Sequence, residues 1–209
     1  WTESPTRIYN QNTQMSNHQT DTAPAGQMAG WSAYIDRVYA SQPALKSILL
    51  KHSRAVAQLA LSLNGRLDHP LPPELVETAA MLHDVGIIHT DAPSIECHGT
   101  EPYIRHGVIG AEMLRRDGWN EALARVAERH TGAGLSRDDI RSQCLPLPLD
   151  VDLMPRTQLE RLVCYADKFY SKSGDMEQKD YDRVSRQMER HSADTLRRFE
   201  ALAAEFGRP

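Results

Sequence analysis

Six polar residues occupy positions where a helical core would place apolar ones. Leu45, Leu49, His52, Val56, Leu59 and Leu63 follow one another at steps of four, three, four, three and four. That is the period of one face of an α-helix, so His52 falls in the middle of a core-facing stripe. His83 follows Val76 and Ala79, His106 precedes Ile109 and Met113, His130 follows Leu123, Val126 and Ala127, and Asp167 lies between Val163 and Tyr170. Asp84 adjoins His83 and leaves a helix about 100° away from it. A single imidazole on an apolar face is usually a hydrogen-bonded core residue. Four of them with two carboxylates are another matter, because each buried carboxylate without a partner is costly and each imidazole must be satisfied. A divalent cation compensates all six at once, since imidazole nitrogen and carboxylate oxygen recover their lost solvation by coordinating it.

At least five helices must meet to bring these residues together. Helical periodicity runs from Trp31 onward, with Gly or Pro at the breaks, and predicts helices near 30–40, 43–64, 73–86, 103–117, 120–130, 136–143, 156–173 and 179–205. Pro43 suits a first helical turn, Asn64-Gly65 a left-handed helix end, and Pro72-Pro73 a new start. The expected fold class is therefore all-α, a bundle of about six to eight helices. Two long connections remain, Ile87–Pro102 and Cys144–Pro155. The first reads as a lid over the six residues, with Gly86 and Gly99 letting the chain bend.

Residues 1–28 contain no Leu, Val or Phe and are rich in Thr, Gln, Asn, Ser and Pro. They read as a disordered polar tail before one domain over 29–209, with a core at 43–175 and a C-terminal helix at 179–205. The chain opens at Trp1 rather than Met, which reads as a trimmed or engineered start. A net charge of -4 with mixed signs gives no basic stripe, so a nucleic-acid polymer is not an expected partner. No apolar run is long enough for a membrane span and no signal-peptide core is present, so the expected location is the cytoplasm and no membrane partner is expected. Cys97, Cys144 and Cys164 are scattered and read as reduced thiols. Oligomeric state leaves no mark on the sequence.

The order His52, His83-Asp84, Asp167 resembles the H…HD…D signature of HD-domain phosphohydrolases, and His83-Asp84-Val85-Gly86 is a near match to its HDIG variant. His106 and His130, at further intervals of 23 and 24 residues, look like the extra ligands of two-metal members. The resemblance covers about residues 45–175, and the stretches Glu128–Leu135 and Ala166-Asp167-Lys168 are similar to a mostly uncharacterised HDIG branch. It implies that His52, His83 and Asp167 hold one metal, His106 and His130 a second, and that Asp84 bridges them. A donor set of imidazoles and carboxylates without thiolate suits two iron or manganese ions. The implied activity is metal-dependent hydrolysis of a small phosphorylated compound, nucleotides among the possibilities, with Asp84 and Lys168 catalytic and with Lys168, Lys172 and Arg129 binding substrate. The same resemblance leaves two alternatives: a mixed-valence di-iron oxygenase that cleaves a C–C or C–P bond, and a nucleotide-binding signalling module without turnover. In the lid, His89, Asp91 and His98 are further polar residues that could reach a substrate.

Overall fold

Helices form where the apolar stripes and the caps agree. The computed structural model describes residues 30–174 and 176–209, so the expected tail over 1–28 lies outside the described residues. Nine α-helices follow one another among the described residues: α1 (Gly30–Val38), α2 (Pro43–Asn64), α3 (Pro73–Leu82), α4 (His106–Arg116), α5 (Glu121–Arg129), α6 (Arg137–Ser142), α7 (Gln158–Asp167), α8 (Tyr181–His191) and α9 (Ala193–Phe206). Pro43 and Pro73 open α2 and α3 from the first turn, where a missing N–H costs nothing. Asn120 caps α5 by accepting from the Ala122 amide, Ser136 and Asp139 form a reciprocal capping box on α6, and Thr157 accepts from the Glu160 amide to start α7.

The main core runs between α2, α3, α5 and α7. Leu45, Leu49, Val56 and Leu63 of α2 are buried against Val76, Leu82, Leu162 and Val163. Each such aliphatic side chain stabilises the fold by about 1.5–3 kcal/mol through burial. The hairpin of α8 and α9 is pinned to α7 by aromatic rings, with Tyr165 and Phe169 5.1 Å apart and Phe199 lying 5.4 Å from Tyr165 and 5.3 Å from Tyr181. A smaller apolar cluster of Val108, Ile140, Leu147 and Leu153 sits under the long connection after α6. No helix among the described residues is long and apolar enough to cross a membrane.

Several expectations need correction. The helix expected over 73–86 ends at Leu82, and a tight 3₁₀ segment, Val85–His89, continues the chain. Gly86 explains the change: a Cβ there would lie 2.1 Å from the His106 carbonyl oxygen and 2.4 Å from the Gly110 amide. The glycine is needed for backbone against backbone, not as a bend, and a Cβ on Gly99 would likewise lie 2.2 Å from the carbonyl of His89. Gly65 is right-handed (φ -66°), and Asn64 instead bonds both the amide and the carbonyl of Leu71 at 2.9 Å. The helix expected over 156–173 stops at Asp167, where the amides of Lys168, Phe169 and Tyr170 each bond three residues back and tighten the last turn. The single helix expected over 179–205 is two. Ser192 is extended (φ -174°, ψ 160°), and its hydroxyl accepts from the Thr195 amide at 3.0 Å, capping α9.

The connection Ile87–Pro102 carries a small sheet of β1 (Thr90–Ala92), β2 (Cys97–His98) and β3 (Glu101–Pro102), in the order β2-β1-β3. β1 and β2 are antiparallel with Asp91 opposite His98, while β1 and β3 are parallel with Thr90 opposite Glu101. A 3₁₀ turn, Tyr103–Arg105, then leads into α4.

Candidate metal centre

The six residues reach the centre from five different parts of the bundle. His52 comes from the middle of α2, His83 and Asp84 from the end of α3, His106 from the first position of α4, His130 from just after α5, and Asp167 from the last position of α7. The Gly86 contact sets the relation between the second and third of these, because it lays the chain after Asp84 directly on the backbone of His106. All six are buried, with His83 and Asp84 fully enclosed.

Their donor atoms form two groups that share Asp84: His52, His83, Asp84 and Asp167 in one, and Asp84, His106 and His130 in the other. Asp84 divides its oxygens between them. Its Oδ2 lies 3.2 Å from His52 Nε2 and 3.0 Å from His83 Nε2, whereas its Oδ1 lies 3.4 Å from His106 Nε2 and 3.3 Å from His130 Nε2. Asp167 Oδ1 completes the first group, 2.9 Å from His52 Nε2 and 3.4 Å from His83 Nε2. Gaps of this size separate neighbouring donors that each sit about 2.0–2.2 Å from a shared ion.

The protonation pattern also fits a cation. The Nδ1 atoms of His83, His106 and His130 lie 2.6–2.7 Å from the carbonyl oxygens of Ala80, Tyr103 and Ala127. A carbonyl only accepts, so each Nδ1 carries a proton, and a ring without a second proton presents its Nε2 lone pair inward. His106 Nε2 and His130 Nε2 then face each other at 3.0 Å. Burial and the neighbouring imidazole drive His106 down to about 3, and burial also lowers His130, so neither ring gains a second proton near neutrality. Two lone pairs at that separation repel unless something positive lies between them. His83 Nε2 and both Asp84 oxygens are buried without a well-aligned hydrogen bond, although charged groups surround them. This arrangement of a buried His/Asp cluster suits a divalent metal.

Two carboxylates stay ionised despite burial, which would raise both. For Asp84 the opposing charges are His83 and Lys172, and for Asp167 the largest is Lys168. Lys172 Nζ lies 2.6 Å from Asp84 Oδ2 and 6.0 Å above the Tyr103 ring; burial alone would lower it, but Asp84 raises it and keeps it charged. Lys168 Nζ lies 2.8 Å from Asp167 Oδ2 and donates to the His130 carbonyl at 3.0 Å. Arg129 turns to Glu160 at 3.0 Å and Glu128 at 3.5 Å, so its charge is committed to carboxylates rather than to the six donors. Arg105 pairs with Glu101 at 2.9 Å.

A cavity of about 330 Å³ abuts the first group. Asp167 and Lys172 face it on one side, Tyr103 and Tyr170 form walls, and Ala92 and Ile95 of the connection border it on the other. That much of the expected lid lies beside the site. Of its polar residues Ser94 lines this space, but His89, Asp91 and His98 do not: His89 opens on a separate cavity with Arg105 and Glu112, and His98 is exposed and 3.5 Å from Glu96. Tyr103 was not among the residues singled out by periodicity. Its ring stacks on His106 at 4.7 Å and 23°, and its position three residues before His106 also places its carbonyl on the imidazole Nδ1. An aromatic residue one turn before an expected ligand at a helix start is the local pattern that could have marked it.

Comparison with known proteins agrees with this geometry. The family model for the HD domain matches residues 49–171. An uncharacterised protein of Methanocaldococcus jannaschii is 37% identical over 123 residues, 57% of this chain and 64% of that protein. A tRNA (cytidine(56)-2'-O)-methyltransferase of Picrophilus torridus is 29% identical over 124 residues, 59% of this chain but 32% of the relative. A ribonuclease Y of Acidothermus cellulolyticus is 37% identical over 82 residues, 14% of its length. The chain thus spans less than two thirds of these relatives. No solved structure matches. The helices, the His/Asp cluster and the matched span from residue 49 to 171 lead to one conclusion: the chain belongs to the HD domain family.

Proposed function

We propose that the protein is a metal-dependent phosphohydrolase acting on a small phosphorylated compound through two divalent ions. His52, His83 and Asp167 would hold one ion, His106 and His130 the other, and Asp84 would bridge them. The observation that carries the reading is Asp84, whose two oxygens face two separate sets of inward-pointing Nε2 atoms. A donor set without thiolate favours iron or manganese. Such a pair of ions, when bound, supplies an activated water and neutralises phosphoryl charge.

The chain's own groups account for the rest. Lys172 is a buried cation at the border between cluster and cavity, placed to attract an anionic group. Ser94, Ser171 and Ser173 add hydroxyls to the same space, and Tyr103 and Tyr170 limit its width. A space of about 330 Å³ matches a compound of mononucleotide size. Lys168, by contrast, is engaged by Asp167 and the His130 carbonyl, which gives it a role in positioning both. The enclosed charges favour bound phosphate over water in the same place.

The test is metal analysis of protein purified without chelators, followed by phosphate release from a panel of mononucleotides and sugar phosphates with that metal. Two ions per chain and turnover of a compact phosphomonoester are expected. Oxygen consumption with ferrous iron and ascorbate, in the absence of phosphate release, would replace hydrolysis by oxygenation; tight nucleotide binding with neither reaction would make the chain a binding module.

A further inference from the structure

A second cavity, of about 300 Å³, opens where the α8–α9 hairpin meets the rest of the bundle. Ile104, Leu135 and Leu145 give it aliphatic walls that continue into the small apolar cluster under the connection after α6. Thr131 and the exposed Gln143 contribute polar groups on one side, and His191 and Thr195 from the hairpin. Its lining includes no carboxylate, ammonium or guanidinium group. Arg198, which reaches Thr195 and the Gly134 carbonyl at 3.3 Å, is neutralised by Asp139 at 2.8 Å. The carbonyls of Gly132 and Gly134 each accept one bond, from Cys164 and Arg198.

We infer that this cavity binds an uncharged heteroaromatic molecule of nucleobase size, at a site separate from the metal centre. A phosphate or carboxylate would lose its hydration here without gaining a countercharge. Aliphatic walls reward a flat apolar body instead. The Gln143 carboxamide offers one donor and one acceptor side by side, the complement of a purine edge. The site is built partly from outside the matched family span, since His191 and Thr195 lie beyond residue 171. Its occupant would also touch the segments that carry the second donor group: Ile104 stands two residues before His106, and Thr131 follows His130 directly. Binding there stands whether or not the protein hydrolyses phosphate.

Calorimetric titration of the full chain with adenine, with indole and with inorganic phosphate tests the site. Adenine and indole should both bind, phosphate should displace neither, and Gln143→Ala should weaken adenine about tenfold while leaving indole unchanged, because indole lacks the paired donor and acceptor. Leu145→Arg should abolish both by filling the cavity with a charge. Gln143 is exposed, so its variant decides the question even if Leu145→Arg does not fold. Absence of adenine binding up to its solubility limit, displacement by phosphate, or equal weakening of adenine and indole by Gln143→Ala would each overturn the inference.

Discussion

Lys168 Nζ donates to the backbone carbonyl of His130 across 3.0 Å, tying the end of α7 to the end of α5. The same ammonium lies 2.8 Å from Asp167 Oδ2. One side chain thus joins a residue of the first donor group to the backbone of the second. Lys168→Met should lower the affinity for the second ion by about 10–100-fold, the usual cost of losing an outer-shell partner, and Lys168→Arg should restore part of it. Metal titration followed by elemental analysis reads this directly. Unchanged occupancy with lost turnover would instead return Lys168 to the reacting atoms.

Asp84 is the shared member of both groups. Asp84→Ala should empty both positions and leave Lys172 buried without its nearest countercharge, whereas His106→Ala should empty the second position alone. Ion counts near zero and near one per chain are the expected outcomes, with wild type near two. Two ions retained by Asp84→Ala would rule out the bridge.

Metal uptake should depend on pH in one group only. Burial pulls the His83 imidazole down, but Asp84 and Asp167 outweigh it and hold the group up to about 9 in the metal-free protein. An ion needs Nε2 unprotonated, so loading near neutrality must expel a proton. Affinity at the first group should rise about tenfold per pH unit between pH 7 and 9, then level off. His106 and His130 are held down instead, so the second group should bind with little pH dependence over the same range. Manganese titrations in buffers of different ionisation enthalpy count the released protons, and a flat profile at both groups would show that His83 is already neutral.

Gly86→Ala should destabilise the fold and the site together. The new Cβ would meet backbone atoms of His106 and Gly110 at 2.1 and 2.4 Å, and neither can rotate away. A loss of about 1–3 kcal/mol or more is expected from such overpacking, read by denaturant unfolding, with weaker metal retention. Wild-type stability would mean that this seam can open at little cost.

How much of this was legible beforehand depended on the kind of order involved. The family and the mostly helical fold could be read because His52 and its apolar neighbours obey one period, and because His83-Asp84 forms a local motif. The period pointed to His52, His83, His106, His130 and Asp167, and the His83-Asp84 pair to Asp84, the six residues of the two donor groups. What it could not supply was set by tertiary contact. Helix α3 stops early because Gly86 must pass beneath α4, and Lys172 sits on a loop because the last turn of α7 tightens after Asp167. Ser192 breaks the final helix by a cap whose pattern was present but was outweighed by the continuous apolar stripe. The sheet in Ile87–Pro102 consists of pairs two or three residues long, too short for any alternation to show.

His52 and Asp167 touch at 2.9 Å although 115 residues separate them in the chain. A growing polypeptide therefore exposes its first donor long before its last one has been made. During synthesis the early histidines can gather at most a partial set, so full loading must wait until α7 has emerged and packed. An ion held across that span would also close a long loop, restricting the unfolded chain far more than a contact between neighbours could. Acquisition of metal at such a site would thus be a late step in the protein's maturation, and a prematurely ended chain would keep residues that grip an ion without the fold that disciplines it.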